Sequence, residues 1–166
     1  MFFGRSRKET PAAGPEHLEY LVKTHLPEAD TDTRKLVVSV AGLLAGIAYA
    51  DRSYSEAEQA RVHDALAAIE GLSAAGVEAI CSLLREHIVQ IATINPQAYS
   101  RTLREHGDVA LRREVLDVLL DVAAADGELS VAETDLLRRT TSALGLTQDD
   151  YNAAQSRHRD KLSALR

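Results

Sequence analysis

The feature that most constrains this chain is an internal repeat. "AYADRSYSEAE", Ala48 to Glu58, returns as "AAADGELSVAE", Ala123 to Glu133, with six of eleven positions identical. Those six are Ala48, Ala50, Asp51, Ser55, Ala57 and Glu58 against Ala123, Ala125, Asp126, Ser130, Ala132 and Glu133. The likeness extends both ways: Leu43, Leu44 and Ile47 precede the first copy as Val118, Leu119 and Val122 precede the second. Downstream, "GLS" at 71–73 answers "GLT" at 145–147 after a one-residue shift, and Val77 answers Tyr151. A repeat of this kind shows twice what the fold needs. Each unit, about 34–77 and 109–151, reads as an apolar helix, an acidic turn, a second helix, a Gly-Leu stop and the start of a third. The two are expected to pair about a pseudo-twofold axis.

The rest of the chain supports an all-α fold of seven to eight helices in one compact domain over 16–166. Aromatic residues make up only 4% of the sequence and hydrophobic ones 45%, a balance poor in strand formers and rich in helix formers. A short helix runs from about Glu16 to Leu26, and the "TDT" before Arg34 offers caps for a long helix to Ala50. Helices then follow from Glu56 to Ile69, from about Ser73 to Asn95-Pro96, from Gln97, from Asp108 to the second turn, from Val131 to Leu144 and from about Gln148. In the fourth, Val77, Ile80, Cys81, Leu84, Ile88 and Ile91 keep the three-and-four spacing of an amphipathic face. Residues 1–15 read as a disordered leader. "LVVSVAGLLAGIAYA", Leu36 to Ala50, is too short to span a bilayer, which takes about 20 residues. It reads as a buried helix in which Gly42 and Gly46 admit a close neighbour.

The chain's net charge of -6 argues against a nucleic-acid partner, whose phosphates demand a basic face. One cysteine excludes an intrachain disulfide and fits a cytoplasmic location. Six scattered histidines, at 17, 25, 63, 87, 106 and 158, lack the spacing of a zinc site. Nothing pairs a nucleophile with a base, so no enzyme is expected. Glu114, Asp117 and Asp121, opposite an apolar stripe on their helix, read as a solvated acidic face.

The acidic turns carry two readings. Asp126, Gly127, Ser130 and Glu133 match the second half of an EF-hand loop, but its first half would need oxygen ligands at Val122 and Ala124. A weakly bound, hydrated Ca²⁺ or Mg²⁺ remains open, on Asp126, Glu128, Ser130 and Glu133 in the second turn and Asp51, Ser55 and Glu58 in the first. The alternative is local. Ser55-x-x-Glu58 and Ser130-x-x-Glu133 are both capping boxes, and Asp51 and Asp126 suit Asx-type turns.

An apolar helix ending in Ala-x-Ala-Asp, then Ser and Glu three apart, duplicated and followed by "ALGLTQDDY", resembles the TerB family, which includes the N-terminal domain of DjlA-type co-chaperones. The resemblance covers about Arg34 to Tyr151. It implies an all-helical, non-enzymatic, cytoplasmic module associated with tellurite resistance and stress responses, with a suggested metal-binding role. It also implies a protein partner, free or in a peripheral membrane complex. The co-chaperone branch implies instead an interaction adaptor whose turns are structural; "HGD" at 106–108 is not the His-Pro-Asp of a J domain. The family places Gly after the turn Asp, as Gly127 does. Arg52 stands there in the first copy, so it must take a left-handed conformation at a cost of about 1 kcal/mol or make a different turn.

Overall fold

The computed structural model describes residues 14–164, with side chains through residue 160. Of the leader expected over 1–15, residues 1–13 lie outside the described residues, and Pro15 already opens the first helix. Eight helices follow: α1 (Pro15–His25), α2 (Thr31–Ala48), α3 (Glu56–Ala67), α4 (Ala74–Thr93), α5 (Gln97–His106), α6 (Val109–Ala123), α7 (Val131–Ala143) and α8 (Gln148–Ala164). No strand occurs among the described residues. No helix among them is long and apolar enough to cross a membrane.

The helix starts follow from short polar side chains that satisfy otherwise orphaned amides. Asp30, Ser55, Ser73, Asp108 and Ser130 each accept a hydrogen bond from the amide three residues on. One detail differs from the sequence expectation: the cap of α2 is Asp30, and "TDT" forms the helix's first turn. Asp30 wins because its carboxylate reaches the Thr33 amide at 2.7 Å.

Contacts within the first unit recur in the second. α2 packs on α3 and α4, and α3 on α4; likewise α6 packs on α7 and α8, and α7 on α8. Across the units α2 meets α6, while α3 meets α6 and α7 meets α2, the cross-pairing of an approximate twofold. The core lies at this crossing, where Leu44, Leu116, Leu119, Val122 and Leu137 are sealed from solvent. α1 covers α2 and α4, and α5 wedges between α2 and α7.

Gly42 explains how α5 comes so close to α2. A Cβ at this position would stand 2.5 Å from the Tyr99 ring of α5, well inside van der Waals contact. Gly46, four residues on, meets nothing within 4 Å, so only one of the two glycines serves the approach.

The acidic side of α6 is not a solvated face. α8 lies along it: Arg157 donates to Asp117 at 2.8 Å and His158 Nδ1 lies 2.9 Å from Asp121. Arg113 of α6 bonds Asp150 of α8 in return, at 2.9 Å. Apolar burial of Tyr151 and Ala154 seats α8, and the ion pairs set its register. Of the three acidic residues only Glu114 stays exposed, at the edge of an apolar cleft.

Candidate functional site

The two acidic turns share one backbone hydrogen-bond pattern. After α2, the amides of Tyr49, Ala50 and Arg52 donate to the carbonyls of Ala45, Ile47 and Tyr49. After α6, the amides of Ala124, Ala125 and Gly127 donate to Leu120, Val122 and Ala124, each partner 75 positions on. Both turns then end in full capping boxes. The Glu58 amide donates to Ser55 Oγ and the Ser55 amide to Glu58 Oε1; the Glu133 amide donates to Ser130 Oγ and the Ser130 amide to Glu133 Oε1. The repeated Ser and Glu are therefore helix starters in both copies. Ser130→Ala is expected to lower stability by about 1 kcal/mol, the worth of a cap, measured as a shift in the urea midpoint with or without divalent cation.

Arg52 has φ 63 where Gly127 has φ 95. The arginine thus accepts the left-handed conformation, its amide bonding the Tyr49 carbonyl as that of Gly127 bonds Ala124 in the second copy. An Arg52→Gly variant should gain up to about 1 kcal/mol from relief of the strained φ, less the extra entropy of glycine in the unfolded chain. Thermal unfolding of the two proteins measures that gain.

The two turns also touch each other. Ser55 Oγ, the cap of α3, lies 3.0 and 3.2 Å from the two carboxylate oxygens of Asp126, 71 residues away, and donates to them. Asp51 differs: its Oδ1 accepts from the Ser53 amide at 3.1 Å, an Asx turn. The Asx role expected for Asp126 is therefore replaced by a bond across the repeat. Beside this contact lies Glu58, only 1% exposed. Its Oε1 is used in the capping box, and its Oε2 is buried with no hydrogen-bond partner. Burial drives its carboxyl up to about 6; the Ser55 amide and hydroxyl pull it back, and the negative charges of Asp51 and Asp126 push it further up.

Of the candidate cation ligands, the structure joins Ser55 to Glu58 and to Asp126 by hydrogen bonds, while Asp51 is exposed and held in its own Asx turn. Ser130 and Glu133 are engaged in the box of α7, and Glu128 is exposed. Val122, where an EF-hand would begin, is still in α6 and fully buried. No three His, Cys, Asp or Glu side chains among the described residues form a ready cage for a metal. The histidines stand apart, His63 beside Glu78, His106 beside Asp32 and His158 beside Asp121. Cys81 is buried, and burial raises its thiol.

A second feature lies between the units. An apolar cleft of about 320 Å³ runs between α2, α3 and α6, lined by Leu36, Val40, Ile69, Leu111 and Val118, all half-exposed. On the other side of the α2–α6 crossing, a cleft of about 310 Å³ is lined by Gly42, Ile47, Leu136 and Thr140, among others. Leu119 borders both.

The duplicated turns and their paired capping boxes fall within one segment that a family model matches. The family model described as "Tellurite resistance protein TerB" matches residues 37–156. The chain belongs to the TerB family. The match takes in both acidic turns and runs from α2 into α8, leaving α1 outside it. No curated protein and no solved structure matches the chain. TerB is a tellurite-resistance family and not a known family of enzymes.

Proposed function

We propose that this TerB-family protein is a non-enzymatic, cytoplasmic stress-response module in which the junction of the two acidic turns takes up a weakly held Ca²⁺ or Mg²⁺. The observation that carries the reading is the unpartnered Oε2 of Glu58, buried beside the Ser55–Asp126 contact. A buried carboxylate oxygen without a donor is costly, and neighbouring negative charge makes it more so. A divalent cation relieves both costs. The donor set fits a hard cation, being carboxylate and hydroxyl oxygen, and its incompleteness fits weak binding with water as the remaining ligands. Glu58 and Asp126 are the residues that would hold the ion, with Ser55 between them and the charge of Asp51 adding to the field.

The bond between Ser55 and Asp126 gives such an ion a structural consequence, because a ligand on both turns stiffens the joint between the repeats. Adding about 10 mM CaCl₂ or MgCl₂ is expected to raise the thermal midpoint, by the equivalent of about 1 kcal/mol for a millimolar site. The amide resonances around Asp126 should move with it. If neither cation changes the midpoint or those resonances, the ion reading is wrong.

A second reading is favoured by the half-exposed apolar cleft between α2, α3 and α6. In it the protein is an adaptor of the co-chaperone kind: a partner protein inserts an apolar side chain between the repeats, and the turns serve only as caps. The cation titration separates the two readings, since the adaptor reading leaves the turns indifferent to Ca²⁺ and Mg²⁺.

A further inference from the structure

A further cleft, of about 540 Å³, lies away from these sites, between α1, α2, α5 and the link from α4 to α5. Its charged lining is Lys23, Arg34 and Lys35 against Glu19 alone. In a chain of net charge -6, three cations against one carboxylate is a local reversal of sign. The apolar clefts beside the α2–α6 crossing are different: one has a single carboxylate, Glu114, and the other a single cation, Arg139.

The cations of the cleft have no close carboxylate partner among the described residues: neither Lys23 nor Lys35 has a carboxylate within ion-pairing distance. Arg34 is fixed in place by neutral acceptors: its Nε donates to the Leu26 carbonyl at 3.0 Å and its Nη2 to the Pro27 carbonyl at 2.7 Å. Three of its five N–H groups remain to be used. Asp30, whose carboxyl the Thr33 amide and the charge of Arg34 hold below its ordinary range, accepts from that amide at 2.7 Å and forms no ion pair with Arg34 within 4.0 Å. Thr31 and Thr102 add hydroxyls to the lining, while Val38, Ile94 and Tyr99 supply an apolar wall.

We infer that this cleft binds a small organic phosphate, with Lys23, Arg34 and Lys35 on the phosphate oxygens and the body of the ligand against Ile94 and Tyr99. A fixed guanidinium provides the planar fork that matches an oxyanion, and the two ammonium groups act as point charges. All three cations precede residue 37, where the segment matched by the TerB model begins, while the apolar wall of Val38, Ile94 and Tyr99 lies within it. The inference does not depend on the cation reading of the acidic turns.

The shared chemistry is a phosphate ester, which a soluble metabolite and a phospholipid headgroup both offer. The full chain is titrated at physiological salt with inorganic phosphate, with phenyl phosphate, and with phosphatidylglycerol or phosphatidylcholine vesicles, following the amide resonances of Thr31, Lys35 and Thr102. Saturable shifts are expected with phenyl phosphate, weaker ones with inorganic phosphate, and affinity at least about tenfold lower in a Lys23→Ala/Lys35→Ala double variant, as loss of charged hydrogen bonds predicts. Both lysines are exposed, so the variant keeps its fold, and an unchanged thermal midpoint verifies that. Shifts with phosphatidylglycerol but not phosphatidylcholine vesicles that exceed those with phenyl phosphate assign the phosphate to a lipid; the reverse order assigns it to a soluble ester. Absence of saturable shifts with every probe, or shifts undiminished in the double variant, overturns the inference.

Discussion

Leu119→Ala is expected to destabilise the protein by about 3–4 kcal/mol, the largest effect of any single substitution argued for this chain. Leu119 is 1% exposed and sits on α6 where it crosses α2. It borders both the cleft between α2, α3 and α6 and the cleft between α2, α5 and α7. Truncating it removes apolar contact from the crossing and joins the two clefts into one channel between the repeats. The void cannot close cheaply, because its other walls, Leu44 and Ile47, are themselves buried on a single long helix. Since small domains are stable by only about 5–15 kcal/mol, the loss takes a large share of the total. Val118→Ala, at the half-exposed rim of one cleft, is expected to cost about 1 kcal/mol or less. Urea unfolding of the two variants tests the comparison. If they lose equal stability, Leu119 is not the partition between the clefts.

Much of this architecture is legible in the sequence because it is written locally. The residues Ser55, Ser73 and Ser130 announce their helices by a hydrogen bond three positions away, and Gly127 and Arg52 mark a left-handed residue by their place in the repeat. Such interactions have fixed spacing, so pattern alone finds them. The contacts that matter for the site are of another kind. The bond from Ser55 to Asp126 spans 71 residues, and no spacing rule predicts which of two equivalent aspartates reaches across a pseudo-twofold axis. α8 hides the acidic side of α6 for the same reason. Asp117 and Asp121 look solvated until Arg157 and His158, 40 and 37 positions on, are brought against them. The cationic cleft was likewise out of reach, since Lys23 belongs to α1 and Lys35 to α2, and their common cleft exists only once those helices pack. The available signal is charge complementarity between two helices: Asp117, Asp121 and Arg113 on α6 against Arg157, His158 and Asp150 on α8.

Glu58 gives the second large prediction, and its sign is unusual for a carboxylate. Its folded-state value of about 6 lies above the ordinary glutamate value of 4.5, so between those pH values the folded protein holds a proton that the unfolded chain has lost. Stability from this group is therefore greatest below pH 4.5, falls as pH rises from 4.5 to 6, and is fully lost above. The whole step is about 2 kcal/mol. Glu58→Gln removes the titration while keeping an acceptor for the Ser55 amide, because glutamine also closes a capping box. The variant is expected to be more stable than the parent by about 1–2 kcal/mol at pH 7, with the difference shrinking as pH falls towards 4. Chemical denaturation at a series of pH values, without divalent cations, measures this directly; parallel profiles for the two proteins would rule it out. Under the cation reading the same substitution has a second effect: Ca²⁺ or Mg²⁺ stabilises the parent by occupying the negative junction, and that response disappears in Glu58→Gln. A variant that gains stability at pH 7 yet keeps the full response to cation would separate the two properties, leaving Glu58 a strained cap and moving the ion elsewhere. Loss of the pH step and of the cation response together is expected, because the Glu58 oxygen that lacks a donor is the one a cation would satisfy.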